Sequence, residues 1–298
     1  MRILFTRYVP SEQSGAIVND YQSDSLFHGL RMLGHQVVDS PKLAYMYDNY
    51  AAIASLYGKG FSLYGLLPDV DMDRDDIENK IRNHWFDLVV ISRVTALCPH
   101  LDLILQHYAA HELVVIDGED DSEIRYPWLS RSVYFKRECV SMSPSIHPIH
   151  FAIPSSKFQQ PGVKLKPLAQ CDPRDPSTYV FDSEQHYVKD MNMSLFGITM
   201  KKAGWDCMRH LELVAAGCMP LFLDIDHCPL RTCTHLPKLA LSAIMSLASN
   251  HVPGWFLHEP GQQLYENLWN QTVSHLQQHG TTEALATQWL ASVQAATK

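Results

Sequence analysis

Lys201, Lys202 and Gly204 stand in a short polar loop, and Arg209 and Glu212 follow it three residues apart. That spacing puts the last two on one face of a helix. The run 194–199 before the loop is apolar and reads as a strand, so a helix beginning near Trp205 offers its free N–H groups at the strand's end. Helix N-termini attract anions, and two lysines beside a glycine sharpen that attraction. An arginine there can hold a diphosphate through two parallel hydrogen bonds, and a glutamate can accept from ribose hydroxyls. Gly217 then stops the helix and Pro220 leads into an apolar strand. An Arg-x-x-Glu pair alone reads as a surface ion pair on an amphipathic helix. Flanked by Lys-Lys-x-Gly and by Ala-Gly-Cys-x-Pro, in a strand–loop–helix setting, it reads as a nucleotide donor site.

The segment 194–224 resembles the donor-site signature of the GT-B glycosyltransferases, especially the exostosin-like and group 1 transferases. The matching residues are Arg209, Glu212, Ala216, Gly217, Cys218 and Pro220. The resemblance implies two Rossmann-like α/β domains facing a cleft, the C-terminal one compact. It implies that Glu212 binds the nucleotide ribose and that Arg209, with Lys201 or Lys202, neutralises the diphosphate leaving group. Trp205 would line the sugar or base pocket. Lysine and arginine can stabilise that leaving group without a divalent metal, so no cofactor is expected beyond the nucleotide-sugar substrate. Asp71-Met72-Asp73 has the spacing of a metal-binding Asp-x-Asp, but it follows Pro68 in a polar stretch far from this loop.

Ligands of open α/β sheets bind beyond the carboxyl ends of the strands. Arg7, Tyr8 and Arg93 lie just past two expected strands and form the acceptor side; Gly118, Glu119, Asp120 and Asp121 lie past another. Asp24 and His28, four apart on one helix, could act as an oriented general base on an acceptor hydroxyl, and Glu119 with Asp120 is the rival pair. Acidic residues also favour a first helical turn for dipole reasons alone. Tyr45, Tyr47, Tyr50, Tyr57, Phe61 and Tyr64 crowd together without a clean period and read as packing. His227, Cys228, Cys233 and His235 are clustered, but adjacent His227 and Cys228 fit one tetrahedral zinc poorly.

These residues need a scaffold, and the pattern supplies one. Strands are expected at 3–6, 36–39, 86–92 and 113–117, with weaker ones at 132–135 and 149–153. Helices are expected from Asn19 or Asp20 to Leu33, over 75–85, and from Pro99. Five prolines and a glycine crowd one polar stretch near the middle, so residues 1–153 are expected as an N-terminal acceptor domain, 154–176 as a linker and 177–298 as the donor domain. In that second part strands are expected at 179–181, 195–199 and 219–223, and helices at 205–216, 237–249, 262–278 and 282–296. The last helix is a candidate to pack back on the first domain.

The 298 residues allow either one large α/β domain or two small ones. A net charge of −8 disfavours a general nucleic-acid binder. The first apolar run, Ile3 to Phe5, is broken by Arg7, and the longest, 213–223, is shorter than the ~20 residues a bilayer needs. Seven cysteines without a CxxC pair read as reduced thiols, so a cytoplasmic protein with no stable membrane insertion is expected. Residues 7–10 replace the glycines of a dinucleotide fold, and neither a P-loop nor a Gly-x-Ser-x-Gly elbow occurs. The expected activity is metal-independent transfer of a sugar from a nucleotide-diphosphate donor to a hydroxyl acceptor. A glycan, a lipid-linked intermediate, a small molecule and a modified nucleobase stay open as acceptor. The alternative is a non-catalytic protein of the same fold that binds a nucleotide or glycan.

Overall fold

The computed structural model describes residues 1–7, 19–53, 56, 61–70, 72–92 and 98–296. The first part runs β1 (Arg2–Thr6), α1 (Tyr21–Met32), β2 (Gln36–Ser40), α2 (Ile77–Arg82), β3 (Leu88–Ile91), α3 (Leu101–His107), β4 (Leu113–Asp117), α4 (Tyr126–Leu129), β5 (Val133–Lys136) and β6 (Ile146–Pro148). The strands line up as β2-β1-β3-β4-β5-β6, every pair parallel. Alternate side chains serve two cores. Ile3, Phe5, Val37, Val90, Val114 and Ile116 face Leu26 and Leu30 of α1. Leu4, Val38, Val89 and Leu113 face Ile77 and Ile81 of α2 and Ile104 of α3. Burial on both faces is why these strands are unbroken apolar runs.

The second part continues with β7 (Lys166–Leu168), α5 (Glu184–Asn192), β8 (Ser194–Thr199), α6 (Met208–Ala215) and β9 (Met219–Phe222). These three strands form a separate parallel sheet in sequence order. Two helices, α7 (Lys238–Asn250) and α8 (Gly261–His279), close its core through Leu241, Ile244, Tyr265, Trp269 and Leu276. The last helix, α9 (Thr282–Ala296), leaves that sheet and lies along α1. Its Leu285, Ala286, Trp289 and Val293 belong to the core of the six-stranded sheet. Gly29 permits the contact, because a Cβ there would overlap the Thr282 carbonyl.

Three expectations are corrected. Residues 179–181 are not a strand: Asp175 caps a turn at Pro176–Thr178, and Tyr179 and Val180 are exposed. The third strand of the second sheet is β7 instead, inside the proline-rich stretch. Much of that stretch is laid against the second sheet, with Gln159 N–H donating to the Ala215 carbonyl (2.7 Å) and Lys164 Nζ to the Asn192 carbonyl (2.9 Å). Residues 149–153 are likewise not a strand of the sheet; β6 ends at Pro148. They cross between the sheets, and Ile153 exchanges hydrogen bonds with Gly280 and Thr282 at the α8–α9 turn (3.0 Å each).

Candidate functional site

The carboxyl end of β8 and the loop that follows it meet the carboxyl end of β5. Just past β5, the Glu138 carboxylate accepts from the Trp205 N–H (3.0 Å to each oxygen) and from the Asp206 N–H (3.2 Å). Arg137 donates to the same carboxylate (3.1 Å) and to the Asp206 carbonyl (3.1 Å). Its other donors hold the Gly118 carbonyl (2.9 and 3.1 Å) and the Asp120 carboxylate. Gly204 fits because it has no side chain: a Cβ would stand 2.6 Å from Glu138 Oε1. Asp206 in turn accepts from the Phe151 N–H (2.6 Å). Burial pushes the Glu138 carboxyl up, against the pull of the Trp205 N–H and of Arg137. Two backbone N–H groups and a guanidinium therefore converge on one point, and the protein's own carboxylate holds it.

Sequence reasoning missed Arg137 and Glu138. The signal was available, since both follow a strand end just as Arg7 and Gly118 to Asp121 do. The strand at 132–135 was too weakly patterned to draw attention to what came after it.

Arg209 and Glu212 are brought near one another but do not pair. Arg209 is buried; its Nε donates to the Ile198 carbonyl (2.8 Å), Nη1 to the Tyr187 hydroxyl (3.1 Å) and Nη2 to the Cys171 carbonyl. Among the described residues no carboxylate stands within ion-pair distance of it. The Tyr187 hydroxyl passes its own hydrogen to Glu212 (2.8 Å), whose other oxygen accepts from Ser62 (2.6 Å). Ser62 precedes β3 in the first part of the chain, so Glu212 ties that part to α6. Tyr187, on a helix the sequence pattern did not show, was also missed.

Lys201 is anchored by its backbone N–H to Asp224 (3.1 Å), and its ammonium lies 5.8 Å from the Trp205 ring centre. Lys202 is exposed and reaches the Pro173 carbonyl. Behind the loop, His210 accepts or donates at two sites: Thr199 Oγ1 (2.8 Å) on Nδ1 and the Trp205 carbonyl (2.8 Å) on Nε2. A carbonyl can only accept, so Nε2 carries the hydrogen and Nδ1 accepts from Thr199. Burial lowers the His210 pKa and keeps this neutral form.

In the first sheet, the Asp24–His28 dyad is not formed. Asp24 is fully buried and accepts from Arg7 Nη1 (2.6 Å), Tyr64 (2.8 Å), Tyr45 (3.2 Å) and the Asp20 N–H (2.8 Å). His28 turns instead to Thr282 of α9 (2.9 Å). The i, i+4 spacing put them on one face, but each is claimed by a different neighbouring element. Arg7 also reaches Tyr45, so it is part of this buried network. Asp120 holds Arg137, and Glu119 is half-buried beside it with its N–H on Asp117 (3.3 Å). Tyr8 and Arg93 lie outside the described residues, as do Tyr57 and Asp71. Asp73 pairs with Lys80 (2.8 Å).

The strand order reverses between β1 and β3, the place where open α/β sheets form a crevice. Among the described residues, Thr6 Oγ1 and Ser92 Oγ at those strand ends are buried without a hydrogen-bond partner. His235 is buried in a stack on His150 (4.2 Å between ring centres). Among the described residues no three His, Cys, Asp or Glu side chains are placed to hold a metal ion. No described helix is long and apolar enough to cross a membrane. In comparisons with family models, curated proteins and solved structures, nothing matches the chain.

Proposed function

We propose that the chain transfers a sugar from a nucleotide-diphosphate donor to a hydroxyl acceptor at the seam between the two sheets. The observation that carries this reading is the anion cradle made by the Trp205 and Asp206 N–H groups and Arg137, where Glu138 now sits. In this reading the donor diphosphate displaces the Glu138 carboxylate and takes over those donors, while Lys201 and Lys202 close on it from the loop. Glu212 exchanges its Ser62 hydrogen bond for a ribose hydroxyl. Arg209 acts as a positioning residue: it fixes the end of β8 and, through Tyr187, the Glu212 carboxylate. Catalysis is then electrostatic, by fixed donors aimed at charge developing on the leaving group. With all four donors around Asp24 in place, the acceptor base falls to Glu119 or Asp120, beside Arg137 at the same edge.

The non-catalytic reading is favoured by the same carboxylate, since a permanently seated Glu138 leaves no room for a diphosphate. A panel of nucleotide sugars tested by thermal shift and by transfer or hydrolysis separates the two, run on wild type and Glu138→Gln. Removing a like charge from the cradle should tighten nucleotide-diphosphate binding about tenfold, roughly 1.4 kcal/mol. Binding without turnover in either protein establishes the non-catalytic reading. No stabilisation of either protein by any member of the panel removes both.

A further inference from the structure

His235 is buried on the loop that leads into α7, yet neither of its ring nitrogens has a hydrogen-bond partner among the described residues. Its Nε2 stands 3.8 Å from Asp206 Oδ1, an oxygen that is buried and unpartnered in the same way. A buried ring nitrogen and a buried carboxylate oxygen are costly to leave unbonded. Here the two face each other, and about 1 Å of movement would bring them into hydrogen-bond range. Burial, with His150, His210, His275 and the Lys238 ammonium around the ring, pushes the His235 pKa well below its usual value. The ring is therefore neutral, with a hydrogen on one nitrogen. The ring is also the fixed member of the pair. It stacks on His150 (4.2 Å between ring centres), whose Nδ1 donates to the Phe151 carbonyl (2.7 Å). Its loop is fastened to the first sheet by Arg231, which donates to the carbonyls of Ser143 (3.0 Å), Ile146 (2.6 Å) and Ser141, and by Thr232 Oγ1 on the Cys139 carbonyl (3.0 Å). Lys238 gathers the same loop through the Pro229 and Thr232 carbonyls (2.6 Å each).

Asp206 is the member held back. Its N–H donates to Glu138 (3.2 Å), its carbonyl accepts from Arg137 (3.1 Å) and its Oδ2 accepts from the Phe151 N–H (2.6 Å). Glu138 is tethered to the end of β5, so it fixes the Asp206 N–H where it stands. A free anion in the same cradle has no tether and can follow Asp206 as it moves. We propose that His235 is a positioning residue of the cradle: when an anion replaces Glu138, Asp206 closes on His235 Nε2–H, and the new hydrogen bond holds the Asp206 N–H on the anion. His235 has this role only if the cradle takes an anion, as proposed above. The hydrogen stays on Nε2 and the Asp206 oxygen accepts it, so no proton is transferred. Because the bond is absent while Glu138 is seated, it favours the occupied cradle over the closed one.

The test uses the full chain and inorganic pyrophosphate at neutral pH, in wild type and in Glu138→Gln. Nuclear magnetic resonance reads binding from the Trp205 and Asp206 amide signals, and the His235 ring from protein carrying isotope-labelled histidine. At saturation a new His235 ring N–H signal, shifted downfield and protected from exchange, should appear. His235→Phe keeps a ring to stack on His150 but has no donor, and it should weaken pyrophosphate binding about tenfold. His235→Gln keeps an N–H near the Nε2 position and should stay within about threefold of its parent. A residue that only packs gives the reverse order, with Phe tolerated and Gln not, and that result overturns the positioning role. Pyrophosphate that moves the two amide signals without a new His235 signal overturns it too, and this readout needs no variant of His235 to fold. If pyrophosphate moves neither amide in wild type or in Glu138→Gln, the anion cradle itself fails and the role of His235 with it.

Discussion

Tyr187 links two residues that the spacing of the sequence offered as a pair. Its hydroxyl accepts from Arg209 and donates to Glu212, so a buried cation and a half-buried carboxylate are coupled without touching. Asp24 shows the same economy of contact, with four donors on two oxygens around a buried ion pair to Arg7. Truncating Arg7 would strand that carboxylate, a change that typically costs about 3–5 kcal/mol. His28 carries a pH dependence. Burial lowers its pKa from 6.5 to about 4. Between those values the unfolded chain binds a proton that the folded one refuses, so stability falls as pH drops through that window and is flat above it. His150, His210 and His235 are shifted in the same direction by burial. The His28 share is isolated by His28→Gln, whose melting temperature should drop less than that of wild type between pH 6.5 and 4.5. Parallel curves for the two proteins would show that His28 does not titrate as described.

At the scale of elements, the sharpest constraint is the crossing of α1 and α9 at Gly29. Gly29→Ala drives a methyl group into the Thr282 carbonyl and should lower the unfolding free energy by about 1–3 kcal/mol in urea titrations. A change within roughly 0.5 kcal/mol would mean the helices separate at little cost. How legible each element was follows from how much of it is buried. β1, β3 and β4 are buried on both faces, and α1 has a capping Asp20, so their apolar runs and stop signals stand out. By contrast, α5 buries only Tyr187 and Met191, one narrow stripe among polar residues. β7 is three residues on an exposed edge with a proline in it, which is where prolines in sheets belong. Both were hidden for that reason, and with them the Tyr187 relay. The donor-like segment was readable as a strand, loop and helix, because its spacing is local. What fills its anion cradle was not, because Glu138 arrives from a strand far away in sequence.

For the whole molecule, the two sheets share more than a seam. Glu212 with Ser62, Glu138 with the Trp205 and Asp206 N–H groups, and Arg231 with the β5–β6 connection fasten them at three places. The stretch at 154–176 adds to this, since it packs on the second sheet instead of spanning free space. A fragment of residues 1–153 therefore lacks both its seam and the α9 side chains of its own core, Trp289 among them. It should show no cooperative melting transition by circular dichroism, and a sharp one would mean that α1 can close this core unaided. The position of α9 also governs how a nascent chain matures. The six-stranded sheet leaves the ribosome before the second sheet, but the groove beside α1 stays unsealed until α9 emerges. Until then that apolar groove is open to chaperones and to other unfinished copies, and a stop codon just ahead of Trp289 harms the six-stranded sheet as much as the helix it truncates.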